Sequence, residues 1–226
     1  MTLGFSITPL SRRVDAATIA AFARLPVANV SDCMARMTAG GARLRPMHAE
    51  GVLAGPAFTV KTRPGDNLMV HKALDIAVPG DIVVVDAGGD LTNAIIGEIM
   101  MNHAIARGLG GIVIYGAIRD YGTIRKQNWP VFAAGVTHRG PYKDGPGEIG
   151  SAIAIDGMVI EPGDLVLGDE DGLLCVPFDA TAKVLADTQK KHAAEEKTLA
   201  AIAAGVSNDR SWIDATLQKL GCEMKG

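Results

Sequence analysis

From Gly51 to Pro177 the chain alternates short apolar runs with stretches rich in Gly, Pro, Asp and Asn. Two of these runs, Asp81–Asp86 (DIVVVD) and Gly111–Gly116 (GIVIYG), are apolar at odd and even positions alike, as strands buried on both faces are. Between them, residues of about 97–107 carry apolar side chains at helical spacing, and Gly108 stands where a helix stop is expected. Two buried strands joined by a helix predict a right-handed βαβ unit with the strands parallel.

The same reading places a strand at 51–62, a turn at Pro64-Gly65-Asp66-Asn67 and a short helix at 68–77 closed by Pro79-Gly80. A turn of helix follows Asp120, then a strand at Val131–Ala134 and a long Gly/Pro-rich loop over 137–150. Residues 151–177 predict short strands with tight turns, and Asp156-Gly157 is the strongest hairpin signal in the chain. At the ends the period is helical. Residues 14–24 and 29–37, split at Pro26 with Asn29 or Ser31 as a cap for the second, predict a helix pair serving as a lid or subunit-contact arm. A long amphipathic helix at 178–204 and another started by Ser207 or Asp209 form the C-terminal arm, of about 178–220. The expectation is a single α/β domain, residues 1–226, with a core of about 25–180 and helical arms at both ends.

Composition narrows the function. With 226 residues, 48% apolar and 4% aromatic, the core is aliphatic and Gly-rich, as suits α/β packing. A formal charge of −3 with no run of Lys or Arg argues against nucleic acid as a partner. Three cysteines without a CxxC spacing suggest a reducing compartment and no disulfide framework. The N-terminal residues lack the order of a signal peptide and no apolar run is long enough to span a membrane, so a cytoplasmic protein with no membrane partner is expected. No Walker loop is present, and the glycines at 108, 110 and 111 follow a helix and precede a strand, the wrong order for a dinucleotide turn.

The candidate chemistry lies at the two ends of the βαβ unit. A helix opening at Gly97-Glu98-Ile99-Met100 offers free backbone N–H groups to a carboxylate. The second strand runs into Arg119-Asp120, where an Arg fork can hold an oxyanion and an Asp can ligate a hard cation. Neighbours on an extended chain point to opposite sides, so both serve one site only if the chain turns at 119–120. Asn67, His71, Asp90 and Glu98 are secondary candidates for the pocket or for a metal's waters. His138-Arg139 is a further possible carboxylate binder.

The run from Gly97-Glu98 to Gly116-Ala117-Ile118-Arg119-Asp120, with Pro64-Gly65-Asp66-Asn67, His71, Pro162-Gly163-Asp164 and Asp169–Gly172, resembles the RraA-like family over roughly residues 25–180. That family includes class II 4-hydroxy-4-methyl-2-oxoglutarate and 4-carboxy-4-hydroxy-2-oxoadipate aldolases. The resemblance implies a three-layer β/β/α swivelling-type, phosphohistidine-domain-like fold, assembled as a homotrimer or a hexamer. It implies a substrate carboxylate on the backbone of Gly97–Met100, Arg119 on the 2-oxo acid, and Asp120 ligating Mg²⁺, or Mn²⁺, together with waters. It also implies a C-terminal Glu, Glu195 or Glu196, reaching a neighbour's metal waters. Retro-aldol cleavage to pyruvate, with oxaloacetate decarboxylation as a side activity, is the expected reaction. One position departs from the aldolases: an acidic residue three places after Asp120 is replaced by Thr123. The family also contains RraA proper, a non-catalytic inhibitor of an RNA-degrading endonuclease, which stands as the alternative function. A Schiff-base lyase using Lys61 or Lys126 is a third.

Overall fold

The computed structural model describes residues 3–36, 42–206 and 209–223. They fall into two compact units, Met1–Thr188 and Gln189–Gly226. Every strand lies in the first.

The chain begins with a short edge strand, β1 (Phe5–Ile7), followed by helices α1 (Ala16–Phe22) and α2 (Val27–Cys33). Asp15 caps α1 by accepting the Thr18 amide. Helix α2 starts directly after Pro26, earlier than the expected caps Asn29 or Ser31, because its first amide finds an acceptor elsewhere. Val27 N–H donates to Asp169 Oδ2, 3.0 Å away at the far end of the chain's strand region. After β2 (Arg45–Pro46) comes β3 (Leu53–Thr62), then α3 (Leu68–Ile76), β4 (Ile82–Asp86) and the short β5 (Ala94–Ile96). Helix α4 (Glu98–Ala106), β6 (Gly111–Ile118), α5 (Tyr121–Gln127) and β7 (Val131–Val136) follow. Four short strands come next: β8 (Gly147–Ile149), β9 (Ile153–Ile155), β10 (Met158–Ile160) and β11 (Leu165–Asp169). The last strand, β12 (Gly172–Val176), leads to α6 (Thr181–Ala203) and α7 (Ser211–Lys219). The predicted Asp-Gly hairpin joins β9 and β10, with both turn residues at positive φ (47° and 84°), as a two-residue turn requires. Ser207 lies outside the described residues. Asp209 accepts the Ser211 amide at the start of α7.

The βαβ prediction holds. Strands β3, β4, β6 and β7 pair in that order, all parallel. Alternate residues of each strand serve opposite cores. Val83, Val85, Ile112 and Ile114 pack under α3, α4 and α5. Ile82, Val84, Val113 and Tyr115 face the β9–β10 hairpin and β12. The long β3 joins the layers: Leu53–Pro56 pair antiparallel with β11, while Ala57–Lys61 pair with β4. Strand β8 falls inside the stretch expected to be loop. Its three residues are too few to show alternation, and only pairing with β1 and β3 makes them a strand. The N-terminal helices are not a lid. Phe22, Val27 and Val30 are buried against Leu165, Leu167, Leu174 and Val176 in a third core cluster.

One ion pair ties the N-terminal segment to the central sheet. Asp81 is fully buried, accepts Arg13 Nε and Nη2 at 2.8 and 3.1 Å, and takes the Val78 amide as well. Arg13→Met leaves that carboxylate with one donor. The expected loss is about 2 kcal/mol of stability, read as a lower urea midpoint at unchanged m.

In the second unit, no described residue is buried, and Trp212, Leu199 and Leu220 are exposed. Among the described residues no helix is long and apolar enough to cross a membrane.

Candidate active site

Strand β6 ends at Ile118, and the chain then turns sharply. Arg119 N–H donates to Ile96 O at 3.0 Å, so the strand's last bond is made to β5. Asp120 takes a left-handed conformation, φ 55° and ψ 34°, which is uncommon outside Gly, Asn and Asp. Its carbonyl accepts the amides of Thr123 and Ile124 and starts α5. The turn required to bring Arg119 and Asp120 to one site is therefore present at Asp120 itself.

Both side chains lie against the N-terminus of α4, and Gly97 makes that possible. A Cβ at residue 97 would sit 2.4 Å from Asp120 Oδ2 and 2.8 Å from Arg119 Cγ. Asp120 Oδ2 accepts the Glu98 amide at 2.9 Å and so caps α4 from outside the helix. The Glu98 amide is thus taken. The remaining first-turn donors are the amides of Ile99 and Met100, which have no intrahelical partner. The Arg119 guanidinium makes no hydrogen bond to a described residue. Its nearest carboxylate oxygen is Asp120 Oδ2, 3.8 Å from Nε, so its donors are available to a ligand.

These groups border a cleft of about 320 Å³, lined by Asn67, His71, Ile95, Ile96, Gly97, Ile99, Met100, Arg119, Gly140, Pro141 and Lys143. That is room for a small organic acid. Asn67 begins α3 and is almost fully buried, with its Nδ2 donating to Ile95 O at 2.9 Å. Its Oδ1 has no partner, a buried acceptor that a hydroxyl or ammonium donor would satisfy. Burial and, after it, the positive charge of Lys143 push the His71 pKa down, so His71 is neutral at pH 7. An NMR titration should find its midpoint below the ordinary histidine value, rising in Lys143→Met and again when an anion enters the cleft.

Of the sequence candidates, the cleft gathers Asn67, His71, Gly97, Ile99, Met100 and Arg119. Asp120 and Glu98 are not lining residues; they adjoin the cleft at Gly97, where Asp120 Oδ2 accepts the Glu98 amide. Asp90 is outside it and spends its carboxylate on the Thr92 amide and hydroxyl, a local turn. Glu195 and Glu196 belong to the second unit, each paired one turn back along α6 with Lys191 or His192. Lys143, Gly140 and Pro141 were not legible. They come from the 137–150 loop, in which the Arg139 carbonyl accepts the Ala94 amide; neither His138 nor Arg139 lines the cleft. The cleft's lysine is Lys143, not Lys61 or Lys126.

The donor set bears on a metal. Among the described residues no three His, Cys, Asp or Glu side chains are grouped to hold an ion. Asp120 offers a hard ligand at the Gly97 contact: its carboxylate is 41% exposed, and both the Glu98 amide and Arg119 Nε approach Oδ2. One carboxylate beside an anion cleft fits Mg²⁺, which keeps most of its waters and takes its other ligands from substrate, rather than a cation held in an all-protein cage.

A family model described as "RraA-like: Aldolase/RraA" matches residues 27–175. A protein of Halalkalibacterium halodurans named putative 4-hydroxy-4-methyl-2-oxoglutarate aldolase is 37% identical over 196 residues, covering 87% of this chain and 93% of its own length. The crystal structure of an uncharacterized protein from Pseudomonas syringae pv. tomato superposes with a TM-score of 0.78 at 25% identity, covering 86% of this chain and 96% of that one. The structure of an RNA-processing inhibitor, RraA, from Thermus thermophilis superposes with a TM-score of 0.62 at 30% identity, covering 67% and 92%.

Proposed function

The chain belongs to the RraA-like family, and from that premise we propose that it is a carbon–carbon lyase of small 2-oxo acids. The reaction is retro-aldol cleavage of substrates of the 4-hydroxy-4-methyl-2-oxoglutarate type to pyruvate, with oxaloacetate decarboxylation as a side activity. What carries the reading is the Arg119 fork, which is 3.8 Å from Asp120 Oδ2 and spends no hydrogen bond on a described residue, at the open N-terminus of α4, in a cleft the size of such an acid.

Each residue then has a task. The amides of Ile99 and Met100, at the positive end of the α4 dipole, hold the carboxylate next to the keto group. Arg119 directs its free donors at the oxygen on which negative charge grows as the carbon–carbon bond breaks, where preorganised donors are most effective. Asn67 Oδ1 accepts from the substrate hydroxyl and orients it, while a water takes the hydroxyl proton as the carbon–carbon bond breaks and a proton from water is added to the pyruvate enolate carbon. Lys143 attracts the distal carboxylate. A divalent cation on Asp120, Mg²⁺ or Mn²⁺, would act as a Lewis acid toward the keto oxygen. Ile99 is 81% exposed at the rim of the cleft, an apolar side chain that a second copy would cover in the expected trimer or hexamer. Light scattering reads that assembly.

The test is pyruvate release from 4-hydroxy-4-methyl-2-oxoglutarate and from oxaloacetate, with Mg²⁺ and with chelator. Metal-dependent turnover of either is expected, and equal rates with chelator would overturn the reading. Borohydride with pyruvate should trap no adduct on Lys143. The likeness to the Thermus RNA-processing inhibitor supports a second reading, a non-catalytic regulator, which predicts no turnover and indifference to loss of Asp120.

A further inference from the structure

The cleft has two fixed walls and one that must be held in place. The α4 N-terminus and the end of β6 are built on the parallel sheet. The third wall is the loop of 139–145, which carries Gly140, Pro141 and Lys143 and contains no strand, only a single β-bridge from Tyr142 to Asp66. Its side toward α4 is tied by two bonds: the Ala94 amide donates to Arg139 O at 2.9 Å, and Asn93 Nδ2 donates to Gly140 O at 2.5 Å. Its side toward α3 is tied by Asp66. This residue is fully buried, and its carboxylate gathers four donors from three segments. Oδ1 accepts the Leu68 amide at 2.9 Å, at the start of α3. Oδ2 accepts the amides of Asp144 and Gly145 at 2.7 and 2.9 Å, and Arg63 Nη2 at 3.1 Å. The flanking backbone repeats the tie: Asn67 N–H donates to Tyr142 O, and Tyr142 N–H to Gly65 O.

We propose that Asp66 is a positioning residue: its carboxylate clamps the two amides that follow Lys143 to the start of α3, so that Lys143 stands over the cleft beside Asn67 and His71. The chemistry of the residue is specific to that task. Only an ionised carboxylate presents acceptors on both oxygens. An Asn at 66 can serve either the Leu68 amide or the loop amides, and sets an N–H₂ against donors on the other side. A Ser at 66 can keep the short bond to the amide two residues on, but its hydroxyl cannot also span to the loop. Lys143 is exposed, and without the clamp its chain wanders. This assignment rests on the cleft's being the 2-oxo acid site proposed above, while the clamp itself has a readout independent of it.

Two variants, Asp66→Asn and Asp66→Ser, are compared with Lys143→Met and with the corresponding double variants. Hydrogen exchange read by mass spectrometry should rise at least tenfold in the peptides covering 139–145 in both Asp66 variants, and not in the sheet. Binding of 2-oxoglutarate, a 2-oxo acid with a distal carboxylate and no 4-hydroxyl to cleave, by the Mg²⁺-loaded protein should weaken about tenfold in Lys143→Met and by a similar factor in each Asp66 variant. Asp66→Ser should then add less than twofold when Lys143 is already Met, because the clamp acts through that lysine. For cleavage the loss should fall on KM rather than kcat. Unchanged loop exchange, or fully additive losses with Lys143→Met, overturns the proposal. If neither Asp66 variant folds, Asp66 is a structural residue and the assignment fails. Should the wild type bind no 2-oxoglutarate, it is the functional reading that fails, and the exchange data still decide the clamp.

Discussion

Asp120→Asn is expected to lower kcat/KM for metal-dependent pyruvate release by about a thousandfold, roughly 4 kcal/mol of lost transition-state stabilisation. The substitution is nearly isosteric and keeps a carbonyl oxygen that can still accept the Glu98 amide, now 2.9 Å from Oδ2. The α4 cap and the left-handed turn, which Asn also tolerates, should survive. What is lost is the negative charge, hence the hard anionic ligand a divalent cation needs and the partner that lies 3.8 Å from Arg119 Nε. The measurement is a Mg²⁺ titration of initial rates beside circular dichroism. Saturating Mg²⁺ should restore little, since an amide oxygen replaces a carboxylate. A folded Asp120→Asn protein with wild-type turnover would end the reading in which Asp120 holds the metal, while no turnover in either protein would leave the regulator.

Gly97→Ala is expected to cost about a hundredfold in kcat/KM while leaving the protein folded. The backbone at 97, φ −149° and ψ −163°, is extended and accepts any residue, so the whole effect comes from the added methyl group. It would stand 2.4 Å from Asp120 Oδ2, 2.8 Å from Arg119 Cγ and 3.1 Å from Arg119 Nε. Both side chains are about 40% exposed (42% and 41%) and can swing away toward solvent. The collision is therefore relieved by displacing the site, not by unfolding the sheet, and a displacement of about 1 Å is enough for the loss. Gly122→Ala is the matched control. Nothing lies within 4 Å of a Cβ there, and in a helix the change should slightly stabilise. Thermal melts and kinetics on both variants separate the two effects. Equal activity of Gly97→Ala and wild type would mean that the Arg119-Asp120 pair need not lie against α4.

The sequence alone determined the βαβ unit, the Asp156-Gly157 hairpin, the α4 start at Gly97 and the Arg119-Asp120 pair at the end of a strand. Each is written in local chemistry: runs apolar at every position for strands buried on both faces, a 3.6-residue period between them, and glycines where the chain must turn or be approached closely. Only the tertiary structure decided the rest. Strands β5 and β8 have three residues each and exist because β6, β1 and β3 supply their partners. Helix α2 starts at Val27 because a carboxylate 142 residues away accepts its first amide. Asp90, which looked like a neighbour of the site, turns inward to its own loop. Lys143 could not be read as a cleft residue at all. It lies in a Gly/Pro-rich loop with no periodicity, and its place is set by bonds from the loop backbone to Asn93, Ala94 and Asp66, groups distant in sequence. Local periodicity reports which face of an element is buried, but a loop's position is the sum of its long-range hydrogen bonds.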